Sequence, residues 1–261
     1  MPEQGLMASG RERVKKMNNR SRLATWGLRL GIVALALFVV AVLCNRFDVV
    51  SFKIVIPVLG LCALIGAVAV VVSALGIIRT LTAERSGTRL AILGLILGLI
   101  VAAPLGQSIV AGTKLPRIHD ITTDLANPPR FNAIVAARGD TSNSLDRSTP
   151  ADLAALQTAA YPDVVPLTLA VHPGKVFEAA EALVKKNGWA LVSVSPETGT
   201  IEATATTRLL NFKDDVVIVI TEQEGGSLVN MRSVSRVGES DLGANANRIR
   251  TFLYDLKKSL G

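Results

Sequence analysis

The chain has 261 residues, 49% apolar and only 19% charged, a balance too apolar for an ordinary soluble protein and one that rules out disorder as the main state. Its net charge of +7 is local: residues through Gly112 hold 12 basic and 4 acidic side chains, the remainder 16 and 17. A folded part that sums to −1 offers no basic face to nucleic acid, so the excess reads as membrane topology.

Residues 1–23 form a basic tail, and 24–112 a membrane region. Within it Ala24 to Cys44, Ile54 to Ile78 and Leu90 to Val110 are apolar runs of 21, 25 and 21 residues without an acid, each near the ~20 needed to cross hydrocarbon. Arg29, close to the start of the first run, can snorkel to the headgroups beside Trp26. Arg11, Arg13, Lys15, Lys16, Arg20 and Arg22 precede the first run, only Arg46 and Lys53 follow it, and Arg79, Arg85 and Arg89 lie in the next loop. The positive-inside rule therefore puts the N-terminus in the cytoplasm and the C-terminal part across the membrane. A cleaved signal peptide is the competing reading of the first run, but no small-x-small site follows it, and Leu43 is wrong for a lipoprotein box at Cys44. Gly94 and Gly98 form a G-x-x-x-G that either packs within the bundle or associates two chains. The second and third runs have no ionisable residue at bilayer depth, which argues for an anchor and against a transporter. Pro104 is expected to kink the third near its outer end.

Cys44 and Cys62, the only cysteines, both fall in the spans, so the exported part has no disulfide and depends on a core. Residues 113–166 read as an extended lead-in with a short helix, and Arg138 to Thr149, rich in turn-formers, as its most mobile loop. The Arg138-Gly139-Asp140 triplet there is discounted as a chance match. Thr149 as N-cap and Pro150 at the first position predict a helix to Ala160.

The core, 167–261, opens with a strand from Leu167 to Val171. His172-Pro173 then starts a helix with Val176, Phe177, Ala180, Leu183 and Val184 on one stripe, closed by Lys185, Lys186 and Gly188. Four strands follow, Trp189 to Ser195, Thr200 to Arg208, Asp215 to Thr221 and Ser227 to Val237, separated by turns such as Pro196-Glu197-Thr198-Gly199. The last helix carries Leu242, Ala246, Ile249, Phe252, Leu253, Leu256 and Leu260 at helical spacing, with Ser240 or Asp241 as cap. This order predicts an α+β domain behind three transmembrane helices, a curved antiparallel sheet with helices packed on one face, similar to helix-grip domains. In the last strand Val229, Met231, Ser233, Ser235 and Val237 are assigned to the helix side, Arg232, Val234 and Arg236 to the other.

Arg232 and Arg236 share a strand face, and Asp214 and Asp215 open the strand paired with it, so an Arg–Asp network is expected, as a binding site or, preferably, as a structural clamp. His119 and Asp120 tempt as a catalytic pair, but sequence neighbours rarely face each other, and there is no G-x-S-x-G, S-x-x-K or domain cysteine. Two isolated histidines give no zinc spacing, and His172 reads as a helix cap. Asp241 most simply fills the N-terminus of the last helix.

The segments IHDITTDLANPPRF, YPDVVPL, NFKDDVVIVI and RSVSRVGESDLGANANRIRTFL resemble the domain-of-unknown-function 1499 family over about residues 115 to 258. The pattern residues include His119, Asp120, Asp124, Tyr161, Asp214, Asp215, Arg232, Arg236, Asp241, Asn245 and Arg248, while Asn211 stands where the pattern has glycine. The resemblance implies a bacterial or plastid-related envelope domain, often behind membrane helices, with no activity, cofactor or metal to carry across. Together these point to a non-enzymatic inner-membrane protein whose periplasmic domain binds another envelope component, protein or lipid, through the Arg232 to Arg248 region. A small-molecule or lipid-binding module is the alternative, to be decided by whether Phe177, Trp189, Phe212 and Phe252 fill the interior. An enzyme using Asp214 or Asp215 as general acid or base is a third.

Overall fold

The structure is a computed structural model that describes residues 20–261 apart from positions 48, 84, 141 and 149. The tail bases Arg11 to Lys16 and the expected cap Thr149 lie outside the described residues. The chain divides into two compact units, Met1–Val110 and Ala111–Gly261.

Helices α1 (Arg22–Arg46), α2 (Phe52–Thr82) and α3 (Thr88–Lys114) have 25, 31 and 27 residues. All three are long and apolar enough to cross a membrane. Ser21 and Ser51 cap the first two, their hydroxyls accepting from the N–H groups of Ala24 and Lys53. The helices meet along small residues, among them Gly27 and Gly31 on α1, Gly66, Ser73 and Gly76 on α2, and Gly94 and Gly98 on α3, all buried. A Cβ on Gly94 would lie 2.6 Å from the Leu28 nitrogen, and one on Gly98 2.7 Å from the Gly66 carbonyl oxygen. Both glycines of the G-x-x-x-G thus serve close contacts within their own chain. α3 runs on through Pro104, whose carbonyl accepts from the Ser108 hydroxyl.

The second unit is built on β1 (Asp120–Thr122), β2 (Leu167–Leu169), β3 (Ala190–Ser195), β4 (Thr200–Thr206), β5 (Lys213–Gln223) and β6 (Gly226–Ser235). They form one antiparallel sheet of order β1-β6-β5-β4-β3, with β2 also on β6. One face carries the main core, where Ile201, Ala203, Val216, Ile218, Ile220, Val229 and Met231 meet α6 (Pro173–Lys186) and α7 (Ala244–Leu260). The five stripe residues of α6 are all buried, and His172 caps it, Nδ1 accepting from the Gly174 N–H. The period-two reading of β6 holds: Val229 and Met231 face the helices, Val234 the reverse side.

That reverse side is covered as well. Phe131 and Ile134, the latter on the one-turn α4 (Ala133–Ala136), pack on Val217 and Val234. The lead-in is therefore part of the domain: it contributes β1, this covering strap and α5 (Leu153–Ala160). α5 starts later than expected, after Asp152, and its Gln157 side chain pairs with both the N–H and the carbonyl of Thr122, closing the outer edge of β1. α7 begins at Ala244 after Gly243 at φ 81°, so Leu242 is not on its stripe; it stands 47% exposed at φ 52°. Asn211 occupies the turn before β5 at φ 54°, a left-handed conformation that asparagine tolerates.

Candidate functional site

The expected Arg–Asp network exists as two networks on opposite faces of the sheet. Successive strand residues point to opposite sides, so Asp214 and Asp215 part company. Asp215 joins Arg236 on the strap side. Arg236 donates Nε–H and Nη2–H to Asp215, at 3.0 and 2.9 Å, and Arg138 from the strap and the Thr204 hydroxyl donate to the same carboxylate. Arg232 pairs with neither Asp214 nor Asp215. It grips Asp120 of β1 in a bidentate pair, Nε to Oδ1 at 3.0 Å and Nη2 to Oδ2 at 2.7 Å, and Arg147 donates to the same Oδ1. The Asp215 side chain is 0% exposed, that of Asp120 4%, so each carboxylate is closed off by two arginines.

The spare guanidinium N–H groups tie the strap to the sheet. Arg232 donates to the carbonyls of Pro129 and Leu145, Arg138 to Asn143, and Arg236 to Ala137. Glu202 of β4, 2% exposed, accepts from the N–H groups of Asn132, Ala133 and Ile134, three donors that a one-turn helix leaves free. Burial pushes Arg138 and Arg147 below the usual guanidinium value against the pull of their carboxylates. Arg138, Arg147, Thr204 and Glu202 lay outside the expected set. The two arginines sit in turn-rich sequence, where no periodicity points to a partner.

On the helix face Asp214 takes Arg248 of α7. The Arg248 guanidinium also donates to the Ser233 hydroxyl at 2.9 Å and to Asn245 Oδ1. Asn245, fully buried, receives the Ser233 hydroxyl and donates through Nδ2 to Ser235 Oγ and to the His119 carbonyl. The N-cap residue of α7 is Gly243 rather than Ser240 or Asp241, yet the Asp241 carboxylate accepts from the N–H groups of Gly243 and Asn245, and burial raises its pKa despite those bonds. His119 contributes its backbone here while its ring meets the Glu239 carbonyl, so His119 and Asp120 form no catalytic pair. Nearby, Arg250 clamps Asp163, holding that carboxyl below its usual range, and lies over the Tyr161 ring.

Phe177 and Phe252 are buried in the main core, Trp189 stacks on Phe252 with ring centroids 5.5 Å apart, and Phe212 lies outside it. A hollow of about 320 Å3 opens at the surface where α6 ends and α7 begins, lined by Asn187, Trp189, Ala244, Asn247, Arg248, Thr251 and Phe252. It joins aromatic surface to two amides, a hydroxyl and the edge of the Asp214–Arg248 network, a lining suited to a polar ligand with one apolar side. Among the described residues no three of His, Cys, Asp and Glu gather to hold a metal ion.

The model of a family described as "Protein of unknown function (DUF1499)" matches residues 120–256. No curated protein matches the chain.

Proposed function

The chain belongs to the DUF1499 family, and from that premise we propose that it is a non-enzymatic binding module of the bacterial cell envelope, held in the inner membrane by α1 to α3. In this reading the N-terminus is cytoplasmic and the DUF1499 domain periplasmic, in keeping with Arg79, Arg85 and Arg89 beside the second and third spans and the two-base loop between the first and second. The observation that carries the binding role is the hollow beside Arg248, where the buried polar chemistry of the Arg232 to Arg248 region reaches an open concave surface. Asp120 and Asp215 are engaged by arginines and enclosed, which fits a scaffold for that surface and disfavours a carboxylate-dependent reaction.

The test uses the full chain extracted from bacterial membranes with its surrounding lipid. Thr251, exposed on the hollow's wall, is changed to Trp to fill it while Arg248 and its partners stay intact. Native mass spectrometry should show a reproducible added mass or bound protein on the wild-type chain and its loss from Thr251→Trp. Identical mass profiles for the two chains would sink the reading.

A further inference from the structure

One end of the three-helix bundle gathers Arg20, Arg22, Arg29, Arg79, Arg85 and Arg89, with Glu84 as the only acid in those segments. All six arginines are exposed, and none has an ion-pair partner among the described residues. The fold brings them together. The α2–α3 turn lies against the start of α1, where the Ser21 N–H donates to the Ser86 carbonyl at 2.9 Å, and the Thr88 hydroxyl donates to that of Thr80 at 3.0 Å.

Depth matters as much as charge. Arg79 directly follows the apolar run that ends at Ile78, Arg89 directly precedes the run that begins at Leu90, and Arg22 stands one residue before Leu23. At ~1.5 Å of rise per residue these guanidinium groups reach the phosphate level of a bilayer. Arg29 lies two turns deeper on α1, and its guanidinium sits 5.3 Å from the Trp26 ring, on the side of the same rim. The first turns of α1 and α3 carry no acid, so among the described residues this positive rim has no counter-charge. The opposite α1–α2 loop differs: Arg46 and Lys53 there flank Asp48.

We propose that this rim is a binding surface for anionic phospholipid headgroups, several guanidinium groups sharing the phosphates of lipids that carry net negative charge. It holds them whichever side of the membrane the rim faces. The site retains such lipids as a ring around one end of the bundle.

The experiment reconstitutes the full chain in bilayer nanodiscs of equimolar phosphatidylglycerol and phosphatidylcholine, releases it gently, and counts retained lipids by native mass spectrometry. Phosphatidylglycerol should be enriched over phosphatidylcholine on the wild-type chain. With about a fivefold loss per basic residue, Arg79→Gln, Arg85→Gln and Arg89→Gln together should lower that preference on the order of a hundredfold. Arg20→Gln, Arg22→Gln and Arg29→Gln should act in the same direction and serve if the first triple variant misfolds. The matching lysine variants should keep most of the preference. Equal retention of the two lipids by the wild-type chain overturns the proposal, as does a preference untouched by both triple variants. Displacement of the bound lipid by excess inorganic phosphate also overturns it, because the surface would then be a site for the free anion.

Discussion

Asp120 and Asp215 flank Val234 from its two sides, each in direct register with it across β6. Two carboxylates thus stand in one row on one face of the sheet, about 10 Å apart across two strand spacings. Arg232 and Arg236, two residues before and after Val234, each reach diagonally to one of them. Removing either carboxylate would leave two buried guanidinium groups without their charge. Asp215→Asn should cost about 3–5 kcal/mol, measured by denaturant unfolding of the full chain in detergent. A loss below about 1 kcal/mol would mean the network is solvated and dispensable.

Arg138 joins the strap to Asp215 and to the Asn143 carbonyl. Arg138→Gln should release the segment around residues 137–145 before the rest of the domain. Hydrogen exchange should show faster amide exchange there, with the helix-face core unchanged. Uniform acceleration across the sheet would instead make the strap and the core one cooperative unit.

In the membrane unit, Gly94→Val should push α1 and α3 apart, since even a Cβ there lies 2.6 Å from backbone atoms of Gly27 and Leu28. Overpacking of this kind costs about 1–3 kcal/mol, visible as a lower melting temperature in detergent. A change of oligomeric state at unchanged stability would place Gly94 at a contact between chains.

The raised pKa of Asp241 makes its effect on stability run opposite to that of an ion-paired carboxylate. Burial favours the neutral form, so its favourable contribution is full below the unfolded carboxylate value near ~3.9 and is lost as pH rises through the higher folded value. Asp241→Asn removes this titration. The wild-type chain should therefore lose stability relative to the variant as pH is raised from about 4 toward neutrality. A difference independent of pH would refute the assignment.

Much of the domain was legible because its signals repeat. The stripe of α6, the alternation along β6 and the turns between strands each recur often enough to mark a face, and Val229, Met231 and Val234 lie on the sides that the alternation gives them. The same rule applied to β5 separates Asp214 from Asp215, so the two cannot both meet Arg232 and Arg236 on one face. β1 was invisible for a physical reason: three residues carry no period, and their partner lies over a hundred residues away. Arg138 and Arg147 were hidden likewise, their roles being set by the carboxylates they reach. Leu242 fits the helical spacing, yet the left-handed backbone before Ala244 takes it off the stripe.

Asp120 and Arg232 are 112 residues apart in the chain. Ribosomes deliver Asp120 first and Arg232 near the end, so β1, the first strand made, has no neighbour until β6 is complete. During synthesis the stretch beside the third span must wait, its carboxylate hydrated and its edge open, while every helix and hairpin but the last is already out. The clasp is then a late long-range step, followed by the docking of α7, and a chain stopped short of β6 would lack the Arg232 and Arg236 bonds that help hold the strap. A product truncated before β6 would leave β1 as an unpaired edge and its apolar residues open to proteases and chaperones, so this one pairing separates a copy that stops before β6 from one that passes it.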